Sequence, residues 1–151
     1  MGIERRRWIL RAGPAVIVIV VILVGVYAVW RWPARQAVAP GDAARGATLY
    51  ETLPCASCHD ISRPWPGGDI CPNLGNIATE AARIIRQPDY HGHATDAAGY
   101  IRESIVDPNA YIVPGPTYRQ ADGQSVMPKT FGQSLAPAQL DDLVAFLLTR
   151  R

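Results

Sequence analysis

Side chains that hold metals are scarce in this chain of 151 residues, which has three cysteines, three histidines and two methionines. With Cys55 and Cys58 close together, Cys71 is left over, so neither a disulfide framework nor a second Cys/His pair completing a zinc site is in view. Strand-like alternation is missing around the cysteines as well, which disfavours the βαβ setting of a redox C-x-x-C pair. No internal repeat is visible. The formal charge of +2 divides unevenly, with six arginines against Glu4 in residues 1–39 (+5) and nine basic against twelve acidic groups in residues 40–151 (−3). That mildly acidic larger part has no basic patch or stripe, which excludes nucleic acid as a partner.

What is present is the string Cys55-Ala56-Ser57-Cys58-His59, the C-x-x-C-H pattern of c-type haem attachment. Each residue type has its own task. The two thiols add across the haem vinyl groups, and His59 ligates the iron from a position one residue beyond a covalent bond. The expected cofactor is therefore one covalently attached haem c, and a zinc half-site or redox pair is the weaker alternative.

From Ala12 to Trp30 the chain runs 19 residues without a charge, dominated by Val and Ile. At about 1.5 Å per helical residue this covers nearly 30 Å, the thickness of the hydrocarbon core. Trp8 precedes the run, and Tyr27, Trp30 and Trp32 lie towards its far end, where interfacial aromatics settle. A single transmembrane helix over 12–32 is expected, between a basic cytoplasmic N-terminus (1–11) and a linker (33–41). Arg5, Arg6, Arg7 and Arg11 outnumber Arg31 and Arg35, so the N-terminus stays in the cytoplasm and the larger domain lies on the periplasmic or outer side of a bacterial cell membrane. A cleaved signal peptide is the competing reading, with Ala37-Val38-Ala39 as its site, but the apolar run exceeds the usual h-region.

The domain over 42–151 reads as all-α. Asp42 suits an N-cap for a helix through Thr52, stopped by Pro54. Residues 60–76 are a Pro- and Gly-rich loop. A short helix is expected over 79–86, with Ala82, Ile85 and Arg86 at helical spacings, and another from the cap Thr95 to about Val106, with Ala98, Ile101 and Ile105 at three- and four-residue steps. A long irregular stretch follows to Gly132, of the kind that wraps a cofactor. The last helix starts at Pro137 and carries a stripe of Leu140, Leu143, Val144, Leu147 and Leu148, with Asp141 and Asp142 early, where the helix dipole favours anions.

A haem iron held by one histidine has a sixth position, and its occupant separates electron transfer from ligand chemistry. Beyond the initiator the only methionine is Met127, in Ser125-Val126-Met127-Pro128, where no helical stripe needs a core filler. Met127 is the expected ligand, and His91 and His93, flanking Gly92, are its rivals. Cys71 reads as a buried small hydrophobe.

These residues resemble those of class I monohaem cytochrome c. Gly46-Ala47-Thr48-Leu49-Tyr50 resembles the family's first helix and Leu143-Val144-Ala145-Phe146-Leu147 its last; the resemblance implies that the two cross at right angles, with Gly46 permitting close approach. Pro72-Asn73-Leu74 is similar to the P-x-L that follows the haem motif. This implies that the Pro72 carbonyl accepts the Nδ1 proton of His59, and that Pro72 and Leu74 belong to the haem site. Cys71 stands where the family often has Gly. The string from Tyr100 to Tyr111 is similar to cytochrome c domains of membrane respiratory complexes, such as those fused to oxidase subunit II and the anchored subunit of alternative complex III. Segments around His91 and from Pro114 to Gln124 lengthen the pattern, either as partner-binding loops or as plain insertions.

The expected function is single-electron transfer by a membrane-anchored carrier, not an enzyme in itself. Its expected partners are the lipid bilayer, a quinol-oxidising complex or terminal oxidase, and a soluble electron carrier. A haem-based gas sensor or peroxidase-like enzyme with a displaceable Met127 is the alternative, and a subunit whose haem only stabilises the fold is a third.

Overall fold

The structure is a computed structural model of the chain, and it describes residues 20–23, 27 and 40–151. The chain divides into two units, Met1–Val38 and Ala39–Arg151. The expected basic N-terminus and most of the expected anchor and linker lie outside the described residues; residues 20–23 and 27 are helical and exposed. Among the described residues no helix is long and apolar enough to cross a membrane.

The second unit is helical. Its elements are α1 (Ala43–Thr52), α2 (Ile77–Ile84), α3 (Ala97–Val106), α4 (Phe131–Ser134) and α5 (Pro137–Leu147), and among the described residues the only β pairing is an isolated antiparallel bridge between Arg119 and Ser125. Asp42 caps α1 by accepting from the Ala44 and Arg45 N–H groups at 2.8 and 3.0 Å, an arrangement that contributes about 1 kcal/mol.

Helices α1 and α5 form the main packing contact, and Gly46 is where their backbones meet. A Cβ at that position would lie 2.0 Å from the Asp142 carbonyl oxygen and 2.7 Å from Phe146 Cβ. Around this point Tyr50 and Phe146 pack with ring centroids 5.5 Å apart. A polar clamp closes the end of the interface: Arg45 donates through Nε and Nη2 to Asp142 at 2.8 and 3.0 Å, and the Asp42 N–H donates to Asp142 at 2.6 Å. Asp142 is buried at 5% exposure, and its neighbour Asp141 pairs with Arg102 of α3. These carboxylates thus tie helices together, a larger role than the dipole interaction expected of them. Charge-assisted hydrogen bonds to a buried group outweigh a screened interaction with a helix end.

Three other expectations change. Helix α2 begins at Ile77, two residues early, so its buried stripe is Ile77, Ala81 and Ile84, while Ala82 and Ile85 are half-buried and Arg86 is exposed. The reason is Asn76, whose side chain accepts the Trp65 N–H at 2.7 Å, which fixes the loop end directly against the helix start. Asp96, one residue after the expected Thr95, caps α3 by accepting from Gly99 N–H at 2.7 Å, and Tyr100 joins Ile101 and Ile105 in the core while Ala98 stays half-buried. The irregular stretch also ends sooner than Gly132, because α4 begins at Phe131. At the C-terminus the Arg150 carbonyl accepts from Ala78 N–H at 2.8 Å and its guanidinium lies 4.8 Å from the Phe146 ring centre, which joins the chain end to α2 and α5.

Candidate functional site

Past α1 the chain turns tightly at the cysteine pair. The Cys55 carbonyl accepts from Cys58 N–H at 3.2 Å and His59 N–H at 2.9 Å, and the Tyr50 hydroxyl donates to the His59 carbonyl at 2.5 Å. This winds one helical turn around the motif and anchors its last residue to the core. Leu74 N–H then bonds the Asp60 carbonyl at 2.9 Å, so segments 58–60 and 71–74 lie side by side. Within that pairing His59 Nδ1 lies 2.7 Å from the Pro72 carbonyl oxygen. A carbonyl only accepts, so Nδ1 carries the proton and the lone pair sits on Nε2, the atom free to bind a metal. Burial lowers the pKa of His59, the bond to Pro72 working in the opposite direction, and the ring is held in the neutral form that ligates.

His59 opens onto two cavities, with about 720 and 400 Å³ of empty space that includes their mouths open to solvent. His59, Leu74, Ile105, Leu147 and Met127 line both. Pro72, Cys71, Trp65, Tyr100, Tyr111, Ile112 and Tyr118 are among the other residues lining the larger, and Tyr50, Cys55, Phe131 and Leu143 are among those bordering the smaller. The lining is almost wholly apolar. Cys58 is exposed beside the site, and Cys71, at 6% exposure, is its neighbour; burial and the contact with Cys58 push the Cys71 thiol up to about 12, so it stays protonated. His91 and His93 border neither cavity. Among the described residues no three His, Cys, Asp or Glu side chains converge as a metal-ion site.

Met127 reaches the cavity from a loop that is pinned at many points. Residues 118–126 form a hairpin, with Gln120 N–H bonded to the Gln124 carbonyl at 2.7 Å and Val126 N–H to the Tyr118 carbonyl at 3.2 Å. Its turn uses Gly123 at φ +80°, a conformation that strains any residue with a Cβ. Asn109 accepts from Ser125 N–H at 2.9 Å, the Ser125 hydroxyl accepts from Met127 N–H at 3.2 Å, and Arg119 donates to the Ile112 and Gly123 carbonyls at 3.2 Å each. The Tyr118 hydroxyl, on a side chain 3% exposed, donates to the Gly68 carbonyl at 2.7 Å, and Thr117 bonds the Asp69 carbonyl. The loop carrying Met127 and the loop carrying Pro72 therefore hold each other.

A flat apolar cofactor suits this space, because the lining is almost wholly apolar while the His59 imidazole, the Met127 thioether and the Cys55 thiol border it. The donor set of one nitrogen and one soft sulfur fits an iron porphyrin. The family model for cytochrome c matches residues 43–151, from the first residue of α1 to the last of the chain. The chain belongs to the cytochrome c family. Neither the curated proteins nor the solved structures compared with it give a match. Family membership makes this cytochrome c domain a haem-based electron carrier whose cofactor is covalently bound haem c. Of the residues singled out from sequence, His59, Leu74 and Met127 line both cavities, Pro72 lines the larger and Cys55 the smaller, while Cys58 is exposed and lines neither. Tyr100, Tyr111 and Tyr118 were not foreseen as lining residues. The apolar string Tyr111-Ile112-Val113 inside a Pro-bounded loop is the signal that points to part of that wall.

Proposed function

We propose that this chain is a membrane-anchored cytochrome c with a single haem, bound through thioethers at Cys55 and Cys58 and ligated by His59 and Met127. Its electrons pass one at a time within or between respiratory or photosynthetic membrane complexes. The observation that carries the proposal is that His59 and Met127 line the same apolar space, His59 bonded to Pro72 and the loops of Pro72 and Met127 bonded to each other.

Bound there, the haem supplies a one-electron couple at its iron. The chain's residues do the rest by holding still. The Pro72 carbonyl and the Tyr50 hydroxyl fix the orientation and backbone of His59, and the Arg119, Asn109 and Ser125 bonds fix the approach of Met127. The thioether favours the ferrous state, and the apolar lining excludes water, which again favours the less charged form. No side chain has to gain or lose a proton.

The membrane part rests on the sequence: the uncharged run from Ala12 to Trp30, and the excess of arginine before it, support an anchor with the haem domain on the outer, periplasmic side. The string from Tyr100 to Tyr111 supports a place beside a quinol-oxidising complex or terminal oxidase, with a soluble electron carrier as a further partner. Detergent extraction of membranes tests this reading. The full-length chain, carrying the mass of one haem, is expected in the membrane fraction and to copurify with subunits of such a complex. A mature N-terminus at Pro40 in the soluble fraction would sink the anchor, and rapid carbon monoxide binding by the ferrous protein would point to a gas-binding site instead.

A further inference from the structure

The segment around His91 lies against residues that line the larger cavity. His91 is exposed, and its ring packs on Tyr111 with centroids 5.2 Å apart and planes at 71°. Tyr111, at 7% exposure, lines the larger cavity. Tyr90 packs on Tyr111 at 5.1 Å and on Tyr100, another lining residue, at 6.2 Å. A single buried aromatic ring therefore separates the cavity from a solvent-exposed imidazole.

The loop is held rather than loose. Glu103 of α3 accepts from the Tyr90 hydroxyl at 2.8 Å and from His93 N–H at 2.8 Å, with His93 Nδ1 at 3.0 Å, and the Tyr90 hydroxyl accepts from Ala94 N–H at 3.0 Å. His91 Nδ1 donates to the Asp89 carbonyl at 3.0 Å, which leaves Nε2 with its lone pair. Electron tunnelling weakens steeply with every gap across empty space, so closely packed π-systems between a cofactor and the surface form a better coupled route than loosely packed aliphatic chain. His93 is a natural comparison, since it lies two residues away and its ring pairs with the Glu103 carboxylate.

We propose that the loop from Tyr90 to His93 is where this domain exchanges electrons with a protein partner bearing a one-electron redox centre, the His91 and Tyr111 rings coupling that partner to the cavity. The inference rests on the carrier reading above. One electron leaves the partner's centre and is taken up in the cavity, ferric iron becoming ferrous; no bond forms or breaks, and Tyr111 keeps its proton.

The test attaches a photoactive ruthenium polypyridyl complex to one histidine at a time on the haem-loaded full chain: to His91 in His93→Gln, and to His93 in His91→Gln. After a flash, one electron passes from the excited ruthenium centre to the ferric haem. Transfer from His91 is expected to be about tenfold faster than from His93, and Tyr111→Leu is expected to remove that advantage while Tyr111→Phe keeps it. In the unlabelled ferrous protein the His91 ring-proton resonances are expected to be displaced by the Tyr111 ring, and to return to the open-chain position in Tyr111→Leu. Should Tyr111→Leu fail to load haem, the two labelled chains decide alone. Equal rates from His91 and His93, or open-chain His91 resonances in the native sequence, overturn the proposal and move the exchange to another face, such as that of exposed Cys58. Failure of the carrier reading looks different: the oxidised native protein then lacks a sulfur-to-iron charge-transfer band and its ferrous form binds carbon monoxide rapidly, whatever the two labels show.

Discussion

Replacing Gly46 with alanine adds one methyl group at the tightest point of the α1–α5 contact. The new Cβ would lie 2.0 Å from the Asp142 carbonyl oxygen, 2.6 Å from its carbon and 2.7 Å from Phe146 Cβ, against an ordinary contact of 3.4 Å or more. Two of these three atoms are helix backbone and cannot swing aside, so the helices must part by about 1.4 Å along that line (3.4 against 2.0 Å). Parting them also stretches the clamp of Arg45 and Asp142, now at 2.8 and 3.0 Å. Overpacking of this kind costs about 3 kcal/mol, the upper end of its range because backbone is struck. Replacing a glycine inside a helix returns about 1 kcal/mol. The net loss of about 2 kcal/mol lowers Tm by roughly 8 °C, at about 4 °C per kcal/mol for a domain of this size. Thermal unfolding of the haem-loaded protein, followed by far-ultraviolet circular dichroism, reads this directly. An unchanged or raised Tm would refute the close approach of the two helices at Gly46.

Three further substitutions probe other parts of the structure. Ile84→Ala empties a site 2% exposed and is expected to cost about 2–5 kcal/mol in urea unfolding, while Ile85→Ala costs clearly less; the reverse order would restore the helix register first expected from the sequence. Tyr118→Phe removes the donor to the Gly68 carbonyl and is expected to cost about 1–2 kcal/mol, and no loss of stability would mean that the two loops do not brace each other there. Asp142 is held below its ordinary pKa of 3.8, chiefly by the Arg45 hydrogen bond and then by the Asp42 N–H. Its stabilising effect is therefore complete above 3.8 and fades as pH falls from there through the lower folded value. Between pH 7 and pH 3 the native protein is expected to lose more stability than Asp142→Asn, which starts lower, and parallel curves would contradict this.

The site was legible where its chemistry is local or its residue type is rare. The Cys55 to His59 string needs no tertiary context, and with one methionine beyond the initiator Met127 had no competitor of its kind. Pro72 could be singled out only by resemblance, because nothing in its own neighbourhood in sequence points thirteen residues back to His59. The bracing of the Met127 loop was hidden for the same reason. Tyr118 and Gly68, or Asn109 and Ser125, meet across long separations through irregular chain, where no period exists to read. Helix faces fared better than helix ends. The α5 stripe appears as expected, with Leu148 at its half-buried edge, whereas α2 slipped by two residues because Asn76 spends its side chain on Trp65 instead of announcing a cap. The acidic pair at the start of α5 shows the limit of local rules, since Asp141 and Asp142 find arginines on two other helices.

The central claim is that His59 and Met127 together hold the iron. The oxidised full-length protein is predicted to show the weak near-red charge-transfer band of a sulfur-to-iron bond, and Met127→Leu is predicted to abolish it while the covalent haem is retained. A native protein without the band, or a Met127→Leu protein that keeps it, would contradict the account.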